Sequence, residues 1–176
     1  MILVGRRLIS SHYLEVMNAE TELPPLGIFA ELSPELRAQL AAAGRFEVIA
    51  SGHYVAVQGE AHHQLTFVLS GRLDVYVRNQ ADTIKVATIG PGETVGEMNL
   101  IDPQKASADV VAGHGAVRAF SITAEDFAGL VREDSVAGYR VLMALSRELC
   151  RRLRLNSQTL LRQADRARTY FRDEDY

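Results

Sequence analysis

Thr66-Phe67-Val68-Leu69-Ser70-Gly71-Arg72-Leu73-Asp74-Val75-Tyr76-Val77-Arg78 is the stretch on which the fold is decided. In its second half Leu73, Val75 and Val77 alternate with Arg72, Asp74, Tyr76 and Arg78, the period-two pattern of a strand with one buried and one wetter face. Thr66 to Leu69 reads as a preceding strand, and Ser70-Gly71 as the turn between them. Working outward, the same texture runs over residues 46–122, where short β-type runs are punctuated by Gly52, Gly59, Gly71, Gly90, Gly92, Gly96, Gly113 and Gly115. Alternation recurs at Ala108, Val110 and Ala112, and again at Arg118, Phe120 and Ile122 against Val117 and Ala119. Strands this closely spaced pair antiparallel, so the expected fold is mainly β, an antiparallel β-roll of jelly-roll type with flanking helices.

Helical signals bracket the β region. Ser33 is a good N-cap, Pro34 suits the first helical position and Gly44 stops the alanine-rich stretch, with Leu36 and Leu40 on the buried face. Thr123 caps a second helix carrying Phe127, Leu130 and Val131, with Asp126 as a capping-box variant. Asp134 or Ser135 caps a third, much longer one. Along it Leu142, Leu145, Leu149, Leu153, Asn156, Leu160, Ala164, Ala167 and Phe171 recur at steps of three or four. The first turns are expected to pack on the roll. Beyond Leu153 the stripe needs another facing surface, and a parallel homodimer through this helix supplies it. The expected organisation is an N-terminal extension over 1–24 with room for a short helix, the roll over 25–134, and the long helix and tail over 135–176.

A formal charge of −3 argues against a general nucleic-acid or anionic-membrane partner. No segment approaches the ~20 apolar residues of a membrane span, and Arg6 and Arg7 are not followed by the apolar run of a signal peptide. The single Cys150 forms no internal disulfide, which fits a reducing cytoplasm. There is no nucleophile with a histidine partner, no paired acids in a cleft signature and no phosphate-loop lysine, so no enzyme and no required cofactor are expected. His62-His63 point to opposite faces of a strand and read as an exposed turn, not a metal site. Arg151, Arg152 and Arg154 spread around a helix and read as a solvated face.

The stretch that carries chemistry is Gly96-Glu97-Met98-Asn99-Leu100-Ile101, following Gly90-Pro91-Gly92. Glycine permits close backbone approach, and free amides at the start of a helical turn point at an anion. Glu97 would repel phosphate, so its task is to accept hydrogen bonds from a ligand hydroxyl.

Taken in order, Gly52, Gln58-Gly59-Glu60, Leu69-Ser70-Gly71-Arg72-Leu73, Ile89-Gly90-Pro91-Gly92 and Gly96-Glu97 resemble the cyclic-nucleotide-binding domain family, the likeness covering residues 46–162. The resemblance implies a β-roll whose phosphate-binding cassette begins at Gly96-Glu97, with Glu97 on the ribose hydroxyl. Amides near Met98 and Asn99, together with Ser107, would contact the phosphate. Arg151-Arg152-Leu153 and Asn156-Ser157 resemble the catabolite activator branch, in which the last two positions reach the purine from the two helices of a dimer. The alternative is that Asn156 only fixes helix register. That branch also carries a C-terminal helix-turn-helix, for which the stretch up to Tyr176 has no room, so any effect on transcription is expected to run through an unknown protein partner.

One departure matters. The family's cassette continues to an arginine that grips the cyclic phosphate, and here Pro103-Gln104-Lys105-Ala106-Ser107-Ala108 puts Ala106 at that position. Lys105 is adjacent, but a lysine lacks the guanidinium fork. Three readings stay open: a cyclic nucleotide (cAMP or cGMP) held by a modified cassette with ligand-coupled movement of the long helix, a different ligand, or a ligand-free scaffold for dimerisation and protein interaction.

Overall fold

The computed structural model describes residues 2–4, 7–9 and 22–172, with side chains described for 22–159 and 161. Strands β1 (Ile2–Val4) and β2 (Arg7–Ile9) form an antiparallel hairpin, where a short helix had room. Any helix over 10–21 lies outside the described residues. A 3-10 turn (Gly27–Phe29) leads to α1 (Pro34–Ala43). Then come β3 (Arg45–Ile49), β4 (Tyr54–Ala56), β5 (Gln64–Ser70), β6 (Leu73–Arg78), β7 (Thr83–Ile89) and β8 (Thr94–Val95). A short α2 (Glu97–Ile101), β9 (Asp109–Ala112), β10 (Val117–Thr123), α3 (Ala124–Glu133) and α4 (Ser135–Arg172) complete the order.

The turn read at Ser70-Gly71 between two strands is present, and it is a corner between sheets. β5 pairs with β10 and β8 in the sheet ordered β3-β10-β5-β8, whereas β6 pairs with β9 and β7 in the second sheet, β4-β9-β6-β7. The Ser70-Gly71 turn therefore carries the chain from one sheet to the other, and all pairings are antiparallel. This is the expected mainly β roll with a short helix before it and a long helix after it.

Alternation along the strands builds two cores. Leu65 and Phe67 of β5 and Phe120 and Ile122 of β10 face the helices, where they pack with Phe29, Leu36, Leu40, Phe127, Leu130, Val141 and Leu145. Phe29 and Phe67 anchor this layer with ring centroids 4.3 Å apart. Val68 and Val117 face the second sheet and meet Leu73, Ile89, Val95, Ala106, Val110 and Ala112. β10 is thus buried on both faces, and its sequence is correspondingly more apolar than the half-wet β6.

The caps follow the sequence. Ser33 Oγ accepts from the Leu36 amide at 3.3 Å and Thr123 Oγ1 from the Asp126 amide at 3.0 Å. Asp134 Oδ1 accepts from the Val136 and Ala137 amides at 3.1 and 2.9 Å, opening α4. Gly44 ends α1 where a Cβ would lie 2.3 Å from the Phe120 ring, so the stop is also a packing requirement. On α4 Leu145 is fully buried, Leu149 half-buried and Leu153 is 65% exposed. The side chains of Leu160, Ala164, Ala167 and Phe171 lie outside the described residues. Among those described, no helix is long and apolar enough to cross a membrane.

Candidate ligand cleft between the cassette and the C-terminal helix

Gly96 sits at φ +84°, a left-handed conformation that favours glycine. A Cβ there would lie 2.1 Å from the Gln64 carbonyl and 3.0 Å from His62 Nε2, so the turn is pressed against the start of β5. This seating directs α2 into the roll and buries Glu97 to 6% exposure. Asn99 braces the same turn from its other side. Its Nδ2 donates to the His62 carbonyl at 3.0 Å and to the Gln104 carbonyl, tying α2 to the segment before β5 and to the loop leading to Ala106.

The second wall comes from α4. Arg152 Nη1 donates to Glu97 Oε1 at 2.8 Å, its Nη2 to the Thr94 carbonyl at 2.9 Å and its Nε to Glu148 Oε1 at 2.9 Å. One guanidinium thereby joins the long helix to β8 and to the cassette. The arginine run is thus not a uniformly solvated face. Neighbouring positions point about 100° apart on a helix, which turns Arg152 inward at 23% side-chain exposure and leaves Arg151 at 52%. Arg151 binds Glu148 through Nε and Nη2 at 2.7 and 2.6 Å. These bonds, with those from Arg152, hold the Glu148 carboxyl below the usual carboxylate range.

Between these walls lies a cleft of about 370 Å³ lined by Glu97, Met98, Asn99, Ala106, Ser107 and Asn156, among others. Two of its polar atoms are buried without a hydrogen-bond partner: Glu97 Oε2 and His62 Nε2. His62 is therefore not part of an exposed turn. It is half-buried, while His63 is exposed. Burial pushes the His62 imidazole below its ordinary pKa, opposed in part by a hydrogen bond with the Gln64 backbone.

Not every residue singled out in the sequence reaches the cleft. Gly96, Glu97, Met98, Asn99, Ala106, Ser107 and Asn156 line it, but Lys105 and Ser157 do not. Lys105 is exposed and bridges to Ala61. Ala106 is held by its amide on the Glu60 carbonyl and its own carbonyl on the Gly59 amide, both at 2.8 Å. With successive side chains on opposite faces, this pairing sends Ala106 inward and Lys105 outward. Ser157 Oγ donates to the Leu153 carbonyl of its own helix at 2.9 Å. Thr94 and Glu148 are contributors that the sequence did not single out, and Arg152 and His62, read there as a solvated face and an exposed turn, are turned to the site instead. The Glu148 to Arg152 spacing of four was a local signal, but nothing local pairs Arg152 with Glu97, 55 residues away.

The family model of the cyclic nucleotide-binding domain matches residues 46–134, just over half of the chain. Among solved structures, the Thermus thermophilus catabolite activator protein superimposes with a TM-score of 0.67 at 27% identity, over 80% of this chain and 63% of that one. This chain therefore spans less than two thirds of that protein. A cyclic nucleotide-binding domain from Methylobacillus flagellatus gives a TM-score of 0.72 at 21% identity, over 86% and 84% of the two chains. The regulatory subunit of a cAMP-independent protein kinase A from Trypanosoma brucei gives 0.58 at 25% identity, over 69% and 42%. Matched by this family model over half of its length, the chain belongs to the cyclic nucleotide-binding domain family.

Proposed function

We propose that this chain is a regulatory sensor in which a nucleotide-like ligand in the cleft is reported by α4. The observation that carries this reading is the split role of Glu97. One carboxylate oxygen holds the reporting helix through Arg152, and the other is buried in the cleft wall without a partner. A ligand hydroxyl donating to Glu97 changes the environment of the carboxylate that Arg152 grips, so ligand occupancy and helix position are coupled. The shift is limited by the ligand's differential affinity for the two helix arrangements. Asn156 lines the same cleft and offers both a donor and an acceptor to a base. In a parallel dimer through α4, Ser157 is the residue offered to the partner subunit's cleft. No catalytic step is assigned to any of these groups.

Membership of the family makes cyclic AMP and cyclic GMP the first ligands to test, and no resident cofactor is required by this reading. The second reading, a ligand-free dimerisation scaffold, is favoured by one observation, the apolar Ala106 packed where the family's phosphate arginine stands. Hydrogen–deuterium exchange along α4 separates them. Under the sensor reading, a ligand that gives heat in calorimetry changes exchange around residues 148–156. If calorimetry with both cyclic nucleotides and their nucleosides gives no heat up to millimolar concentration, the scaffold reading replaces it.

A further inference from the structure

We infer that the cleft is built for an uncharged, hydroxyl-rich ligand, a nucleoside, in preference to a cyclic nucleotide. The inference rests on the cleft being a ligand site, and it specifies the chemical class.

The first support is charge. Among the described residues lining the cleft, the lysine and arginine side chains are Arg151 and Arg152 alone. Both are already engaged: Arg152 by Glu97 and Glu148, and Arg151 by Glu148, with Glu93 4.0 Å away. Three carboxylates thus surround two guanidinium groups. His62 adds no compensating charge near neutral pH, because burial favours its neutral form. A cyclic phosphate brings a further negative charge into a site with no cation to spare. The place where a phosphate clamp belongs is apolar, since Ala106 is 8% exposed and packs in the cluster that holds Ala56, Val95 and Val110. The β-bridge at Lys105 keeps the nearest lysine on the outer face.

The second support is what the site lacks. Glu97 Oε2 is a buried acceptor with no donor, and His62 Nε2 is a buried nitrogen with no partner. Leaving such atoms unpaired is costly, so the complementary ligand supplies hydroxyl groups. A 3′,5′-cyclic phosphate consumes two of the three ribose hydroxyls of a nucleoside, and its phosphoryl oxygens accept hydrogen bonds but donate none. A nucleoside keeps all three donors and adds no charge. The apolar walls at Val75, Ala87, Ile89 and Leu155 suit the face of a base.

Titration calorimetry of the full chain with adenosine, guanosine, cyclic AMP and cyclic GMP tests this. The expected result is that at least one nucleoside binds ~10-fold or more tightly than its cyclic counterpart. Glu97→Gln is expected to weaken that nucleoside ~10-fold or more while the fold persists by circular dichroism. Ala106→Arg should narrow or reverse the preference. Equal or tighter binding of the cyclic nucleotides overturns the inference, as does absence of binding by all four. If a nucleoside binds preferentially while exchange in α4 is unchanged, the ligand class stands and the sensor reading fails. If a cyclic nucleotide binds preferentially and α4 responds, the sensor reading stands and the ligand class fails.

Discussion

Gly96 is the residue on which the cassette depends most directly, because two requirements meet there. Its positive φ disfavours a side chain by about 1–2 kcal/mol, and the Gln64 carbonyl occupies the space a Cβ would need. Gly96→Ala is therefore expected to cost more than ~2 kcal/mol and to lower the thermal midpoint by several degrees, checked by urea and thermal unfolding. A neutral change would mean that the turn is free to move off β5. His62, its neighbour across that contact, makes a pH prediction. Its folded pKa lies below the ordinary ~6.5, so between those two values the unfolded chain binds more protons than the folded one. Its contribution is fully present above ~6.5 and is lost as pH falls through the folded pKa. A pH series of thermal midpoints should fall as pH drops below ~6.5, and His62→Gln should flatten that part of the curve. The loss of Glu148 ion pairing belongs to more acidic conditions, below the ordinary glutamate range, and should persist in the variant. The glycine turn at Gly96 and the helical turn that opens at Glu97 were legible because they follow from local backbone geometry. His62 was not, because only the packing of the Gly96 turn on β5 shows which of two adjacent histidines is turned inward.

At the scale of the elements, α4 is held to the roll through Arg152, and the strength of that hold is measurable. Arg152→Ala leaves the buried Glu97 carboxylate with neither oxygen paired and frees the Thr94 carbonyl. Breaking a fully buried pair costs roughly 3–5 kcal/mol. With Arg152 still 23% exposed, about 1–3 kcal/mol is expected here. The loss should appear as faster amide exchange in α4 from residue 148 onward, with the strands of the β10 sheet unchanged. Uniform acceleration across the roll would show that Arg152 supports the whole fold. Helix starts were readable from sequence, since Ser33, Thr123 and Asp134 each satisfy amides within three residues of themselves. Strand identity was readable where one face is buried, as in β6 and β10. It was weak for β7, where every residue except Ile89 is exposed, and for β4 and β8, which have three and two residues. The turn at Gly71 was legible, but its being a corner between sheets was not, for a related reason. A short turn between two alternating runs looks the same whether the second strand returns beside the first or crosses to the facing sheet.

For the whole molecule, the far part of α4 presents apolar side chains that the roll does not cover. Leu145 is fully buried on the roll, yet Leu153 and Leu161 are 65% and 66% exposed on the same helix. A 38-residue helix is far longer than the roll needs, and an apolar series that continues past its own domain calls for a second surface. The parallel homodimer proposed through α4 would meet that need and would bring Asn156 and Ser157 of both subunits to the pair of clefts. The chain is thus expected to sediment as a dimer at micromolar concentration. Leu153→Asp is the discriminating variant, because the side chain is exposed in a single copy, where such a change costs within ~0.5 kcal/mol. In the seam of a dimer the same carboxylate is placed beside its twin, and the dissociation constant should rise ~100-fold or more. The expected outcome is a folded monomer whose roll unfolds near the wild-type temperature at high dilution, seen by sedimentation and thermal unfolding together. A wild-type chain that sediments as a monomer at micromolar concentration would remove the helix pair, and α4 would then act on the cleft of its own subunit only, through Arg152 and Asn156.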